Sequence, residues 1–237
     1  MIRPQISIIT ITYNNLVGLN NTVKSVISQD SYEKIEYIII DGASTDGTVE
    51  YLKTLPESIK WISERDRGIS DAFNKGLKIA TGDAILMLNS GDFFINNNVI
   101  KEVINDWKEN TVDLLSYKVI VDDKTTLPQV DAPLNVWNYC DLPHQGTFVS
   151  KKVYDEIGGY SEEFRIRMDL HFFARCKSKG FSFRYIPKPI THYEPGGVSM
   201  KKENRKIFWT EGMAVKLKYS IPVTLKDFVK FLLYLIK

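Results

Sequence analysis

The apolar run Ala84-Ile85-Leu86-Met87-Leu88 stops on Asn89-Ser90-Gly91-Asp92, which sets one carboxylate among small residues at an expected strand end. Magnesium and manganese take hard oxygen donors and often share them with substrate phosphates. Open α/β sheets bind ligands at the carboxyl edge of their strands. Asp92 there suits a cation that holds a diphosphate, although a plain β-turn would use the same Asn, Ser and Gly. Two further strand ends favour the ligand. Thr12-Tyr13-Asn14 offers the Tyr13 ring to a base, and Asp41-Gly42 offers a carboxylate to a base N–H or a ribose hydroxyl. Taken singly, Tyr13 covers a sheet edge and Asp41 caps a turn. Together with Asp92 they describe one nucleotide-binding edge.

Alternating strand and helix patterns would build that edge. Ile6 to Thr12 is a β-branched run, followed by a helix over about 17–29 with Leu19, Val23, Val26 and Ile27 at helical spacing. A strand from Ile35 to Ile40 ends at Asp41, and Asp46 caps a short helix through about Thr54. Strands at 59–62 and 83–88 flank a helix at 69–80. This order predicts right-handed crossovers and a mostly parallel sheet with helices on both faces. Strands buried on both sides explain the continuous apolar runs. The second half is less regular. It predicts a helix at about 97–109, a strand at 114–120, a surface turn from Asp122 to Thr126 and a strand at 146–149. A break at Gly158-Gly159, a helix at about 169–178 and a strand from Phe181 to Ile186 follow, with helical patterns after Lys201.

With 237 residues, 43% hydrophobic and 25% charged, the chain can bury one sizeable core. A net charge of +2 argues against a nucleic-acid partner, yet residues 201–237 hold nine Lys/Arg against three Asp/Glu and leave the remainder acidic. Two cysteines, Cys140 and Cys176, indicate no disulfide framework, so a reducing cytoplasm is the expected location. Met1 to Gln5 lead into a strand without the apolar stretch of a signal peptide.

Four ordered blocks carry a specific resemblance. They are residues 6–14, residues 40–48 (Ile40-Asp41-Gly42-Ala43-Ser44-Thr45-Asp46-Gly47-Thr48), residues 63–76, and Ala80-Thr81-Gly82-Asp83 leading to Leu88-Asn89-Ser90-Gly91-Asp92. The chain resembles a family 2 glycosyltransferase of the GT-A fold, closely over residues 5–92 and loosely to about residue 200. The resemblance implies a GT-A (Rossmann-like) mixed sheet over residues 1–200, with a nucleotide-binding half to about 95 and an acceptor-binding half beyond it. Residues 201–237 form a helical C-terminal appendage. The implied reaction moves a sugar from a nucleotide-diphosphate donor, such as a UDP-sugar, to an acceptor hydroxyl with inversion. Its setting would be bacterial surface polysaccharide, on a glycan or lipid-linked acceptor.

By motif position, Thr12, Tyr13 and Asp41 would hold the base and ribose, with Asp66 and Arg67 near the nucleotide. Asn89 and Asp92 stand at the two ends of the family's Asp-x-Asp-type segment. Asn89 and Gly91 replace acids common there, leaving Asp92 to hold Mn2+ or Mg2+ with the diphosphate. Asp169 matches the general base, with Met168 in place of a more usual acid; a helix cap is its simpler role. His171 is a weak alternative. His144 and Gln145 would touch acceptor or donor sugar, and His192 would add a metal ligand or pack on the sheet. Gly196-Gly197 would let a flap close over the donor.

The apolar stretch from Phe228 to Ile236, with Lys226, Lys230 and Lys237 around it, suits a helix lying on an anionic membrane. Packing against the core or a second subunit is the equal alternative. A nucleotidyltransferase and a non-catalytic nucleotide-sugar-binding module remain the rival functions.

Overall fold

The computed structural model describes residues 6–122, 125–128, 136–138, 140 and 142–235. Its strands are β1 (Ile6–Thr12), β2 (Ile35–Asp41), β3 (Lys60–Ser63), β4 (Ala84–Met87), β5 (Phe93–Phe94), β6 (Leu114–Asp122), β7 (Thr125–Leu127), β8 (Thr147–Ser150) and β9 (Phe183–His192). Its helices are α1 (Leu16–Ile27), α2 (Thr48–Leu52), α3 (Ile69–Ile79), α4 (Val99–Glu109), α5 (Lys151–Ile157), α6 (Met168–Ser178), α7 (Arg205–Lys218) and α8 (Leu225–Leu235).

The strands form one sheet in the order β3-β2-β1-β4-β8-β6-β9-β5, with β7 paired to β6. The first four strands run parallel, so Thr12, Asp41 and Ser63 stand side by side in register at their carboxyl ends. Beyond them β8 is antiparallel to both β4 and β6, and β9 returns parallel to β6. Neighbouring residues along each strand feed opposite cores, as the pleat requires. Ile8, Ile39 and Leu86 pack under α1 and α4 with Leu19, Val23, Val99 and Val103. Ile9, Ile38 and Met87 pack on the other face with Phe73 of α3 and Phe172 and Phe173 of α6. Gly76 lets α3 sit directly on β1, since a Cβ there would come within 2.4 Å of Ile9 Cγ2.

Two expectations for the second half need correction. The strand expected to end at Ile186 continues to His192 through Pro187 and Pro189, residues that read as strand breakers. A register shift against β6 between Tyr117 and Val119 accommodates the prolines, and pairing resumes with Thr191 and His192. Of the polar Asp122–Thr126 stretch, expected as a surface turn, Asp122 ends β6 and Thr125 and Thr126 belong to β7, which pairs back on β6, while positions 123–124 lie outside the described residues.

The C-terminal helices differ from each other. Met213 and Val215 of α7 are buried, as is Ile221 just after it, whereas α8 buries no residue. Leu225, Phe228, Val229, Leu233 and Leu235 on α8 are exposed. Among the described residues no helix is long and apolar enough to cross a membrane. Cys140 and Cys176 are both buried free thiols.

Candidate functional site

The strand ends meet as the sequence pattern predicts. Asp41 is fully buried, and its carboxylate accepts from the Ser44 N–H and hydroxyl and from Ser63 Oγ at 2.6 Å. Ser44 Oγ in turn accepts from the Asn14 N–H at 2.7 Å, tying the end of β1 to that of β2. Tyr13 is 65% exposed beside this pair. Gly42 leaves room where a Cβ would meet Asp66 Oδ2 at 2.6 Å and Tyr13 Cδ2 at 3.2 Å, so Tyr13, Gly42 and Asp66 surround one spot. Thr12 Oγ1 is buried there without a hydrogen-bond partner. Arg67 is engaged elsewhere: its guanidinium makes two 2.8 Å contacts with Glu162 and one of 3.0 Å with Asp71.

The Asn89–Asp92 segment is held from α1. Asn15 caps that helix, accepting from the Gly18 N–H, and donates to the Ser90 carbonyl at 3.2 Å. Thr22 Oγ1 accepts from the Gly91 N–H at 2.9 Å and donates to the Asp92 carbonyl at 2.7 Å. Asp92 is thereby turned inward and is 2% exposed. Its Oδ1 accepts from the Glu194 N–H at 3.0 Å, while Oδ2 is buried without a hydrogen-bond partner. Burial pushes its carboxyl up to about 6; the Glu194 N–H, His144 and Gln145 oppose the rise, and the Glu194 charge adds to it.

His144 and Gln145 enter from the turn before β8. His144 Nε2 lies 3.1 Å from Asn89 Nδ2, and its Nδ1 lies 3.7 Å from Asp169 Oδ2. With the Asn89 amide facing Nε2, the other ring nitrogen, Nδ1, faces Asp169. Gln145 is buried, and its carbonyl accepts from Thr191 Oγ1 at 3.1 Å. Asp169 occupies the first turn of α6, where Oδ1 accepts from the Leu170 N–H at 2.7 Å. Burial would raise its carboxyl, but His144, Arg167 and the Leu170 N–H outweigh burial and hold it below the usual carboxylate range. A cleft of about 480 Å³ is lined by Asn89, His144, Gln145, Asp169 and Tyr193, with Gly197 to Met200 along one wall.

Two histidines are turned away from this chain of contacts. His171 stacks on Phe164, its Nε2 lies 3.1 Å from the Tyr219 hydroxyl, and burial lowers its imidazole to about 4. The His192 ring stacks on Phe93, its cross-strand partner, at 4.8 Å. What reaches Asp92 from this strand is Glu194, two residues on, which the sequence reading passed over. Glu211 was also missed: its carboxylate accepts from the N–H groups of Arg165, Ile166 and Arg167 ahead of α6. Among the described residues no three His, Cys, Asp or Glu converge as a ready cation site. The buried, unpartnered Oδ2 of Asp92 nevertheless suits a cation whose remaining donors come from a diphosphate.

Residues 7–186 match the sequence profile of glycosyl transferase family 2. An uncharacterised glycosyltransferase of Mycobacterium tuberculosis is 31% identical over 220 residues, covering 86% of this chain and 80% of its own. A PGL/p-HBAD biosynthesis glycosyltransferase of Mycobacterium bovis is 26% identical over 236 residues, covering 95% and 91%. In structure, the chain is similar to residues 1–349 of S. aureus TarS in complex with UDP-GlcNAc, with a TM-score of 0.75, 17% identity and coverage of 95% and 69%. It is also similar to the mannosyltransferase PcManGT of Pyrobaculum calidifontis in complex with GDP-Man and Mn2+, with a TM-score of 0.71, 18% identity and coverage of 98% and 69%.

Proposed function

The chain belongs to glycosyl transferase family 2, and on that premise we propose that it is an inverting, metal-dependent transferase. It moves a sugar from a nucleotide-diphosphate donor, of which a UDP-sugar is our leading choice, to an acceptor hydroxyl. The observation that carries this reading is the His144 ring, which links Asn89 in the diphosphate segment to Asp169 across one cleft.

Tyr13 stacks on the base, while Thr12, Asp41 and Asp66 shape the pocket for base and ribose. Asp41 already accepts from Ser44 and Ser63, so an incoming N–H or hydroxyl shares one of its oxygens. Arg67 reaches a phosphate only by leaving Glu162. Asp92, whose Oδ2 is buried and unpartnered, would hold a divalent cation, Mn2+ or Mg2+. When bound, that cation neutralises charge on the departing diphosphate. Asp169, ionised at neutral pH, takes the proton of the acceptor hydroxyl as its oxygen attacks the anomeric carbon opposite the diphosphate. The new C–O bond forms as the bond to the diphosphate oxygen breaks. His144 orients Asp169 and lies beside the sugar with Gln145, and His192 lends support through Phe93.

The acceptor we propose is a lipid-linked or glycan chain of a bacterial surface polysaccharide such as a capsule, O-antigen or exopolysaccharide. The mycobacterial relative named for PGL/p-HBAD biosynthesis supports a glycoconjugate. The exposed apolar face of α8 supports docking on the inner face of an anionic membrane. In this reading residues 1–200 supply the catalytic domain and residues 201–237 an appendage that serves it. Calorimetric titration with UDP, GDP and CDP, each with and without Mn2+, tests the site. UDP binding that tightens with Mn2+ is expected; tight binding of GDP alone would reassign the donor, and binding of none would remove the proposal.

A further inference from the structure

Asp92 alone is a poor cation site, because hard divalent ions are held by several oxygens, with carboxylates supplying the charge. Asn89 and Gly91 carry no charge. The space that a side chain at position 91 would enter is filled from elsewhere: an ideal Cβ on Gly91 would lie 1.7 Å from Glu194 Oε2 and 2.6 Å from its carboxyl carbon. Gly91 has φ of +100°, in the left-handed region that glycine adopts freely, so the backbone there both turns and leaves room for the Glu194 carboxylate.

We propose that Glu194 supplies the second carboxylate of the cation site, acting with the buried, unpartnered Oδ2 of Asp92. This deepens the function proposed above and rests on it. The same residue reaches the segment at two points: its N–H donates to Asp92 Oδ1, and its side chain occupies the space beside Gly91, the residue before Asp92. Its carboxylate has one long contact, 3.5 Å from Asn15 Nδ2, and no Lys or Arg partner among the described residues. The charge of Glu194 disfavours the ionised Asp92 carboxylate, and a cation held by both removes that repulsion. The extension of β9 past its prolines is what delivers Glu194 to this place. Two carboxylates fall short of a complete cation site, so the diphosphate completes it. Metal and nucleotide therefore bind cooperatively, each tightening the other by the same factor.

The test uses the full chain and its Glu194→Gln variant, which keeps the side-chain size and the N–H to Asp92. Each is titrated with UDP (or GDP, if that is the nucleotide bound) in Mn2+ and in EDTA. In the wild type Mn2+ tightens nucleotide binding. In E194Q that tightening falls by about 10-fold or more, the scale seen when even an outer partner of a metal site is lost. Nucleotide affinity in EDTA stays equal or rises in E194Q, because one negative charge near the diphosphate is gone. Asp92→Asn also loses the Mn2+ response. An E194Q protein with the full wild-type response overturns the role of Glu194, as does a wild type that binds nucleotide with no response to Mn2+. Wild-type protein that binds no nucleotide overturns the function reading itself.

Discussion

Glu211, on α7, accepts a hydrogen bond at 2.9 Å from the N–H of Arg167, two residues ahead of Asp169 in the sequence. The same carboxylate takes the N–H groups of Arg165 and Ile166 at 2.8 and 2.9 Å. A helix outside the family match thus fixes the segment from which the proposed base projects. Glu211→Ala strands three backbone donors and costs about 1–3 kcal/mol of stability. In turnover it lowers kcat more than it weakens nucleotide binding. Urea denaturation and acceptor-free donor hydrolysis measure the two effects; a variant with wild-type kcat would detach α7 from the base.

Asp92 makes a pH-dependent prediction for the nucleotide- and metal-free protein. Its folded value, about 6, lies above the usual 3.8, so the folded chain binds this proton more tightly than the unfolded chain does. Asp92 therefore subtracts stability as pH rises from about 4 through about 6, and the cost stays above that range. Asp92→Asn in EDTA is expected to be more stable than wild type by about 3 kcal/mol at pH 7.5, with the gain gone near pH 4. Denaturation midpoints across that range check the sign. Equal midpoints at pH 7.5 would mean that Asp92 carries no burial strain.

Much of this site was legible in the sequence because its geometry is local. Thr12, Asp41 and Asp92 each follow an apolar run, and parallel pairing brings such ends to one edge whatever lies between them. Asp169 was legible as the first acid of a helical pattern. Glu194 was not, since Pro187 and Pro189 broke the strand signal before it, and only the shifted pairing with β6 restores the strand. Glu211 was hidden for another reason. Its partners are backbone N–H groups some 45 residues away, and backbone donors leave no mark on composition or periodicity. His144 and His192 look alike in sequence, but His144 meets Asn89 and Asp169 while Phe93 takes up the His192 ring.

Tyr13 and Arg67 should separate in mutational effect. Tyr13 is exposed beside Gly42 and Asp66, where the proposed base stacks, so Tyr13→Ala weakens nucleotide binding by about 1–3 kcal/mol, the usual range for base–aromatic stacking. Arg67 is held by Glu162 and Asp71, so Arg67→Ala has the smaller effect. Calorimetry with UDP ranks the two, and the reverse order would place the base elsewhere.

The exposed apolar residues of α8 predict membrane docking. Phe228→Ser with Leu232→Ser leaves the Lys216–Asp227 ion pair at 2.7 Å in place and removes two apolar contacts. Sedimentation with vesicles containing phosphatidylserine is expected to fall for the double variant and in high salt. Equal sedimentation of variant and wild type would assign this face to protein packing instead.

The central claim is single displacement at the anomeric carbon with Asp169 as base. Proton NMR of slow donor hydrolysis, with water in place of the acceptor, tests it most directly. An α-linked nucleotide sugar should release the β-anomer first, before mutarotation, and Asp169→Asn should suppress the release while leaving nucleotide binding intact. First release of the α-anomer, or unchanged hydrolysis by Asp169→Asn, would contradict the account.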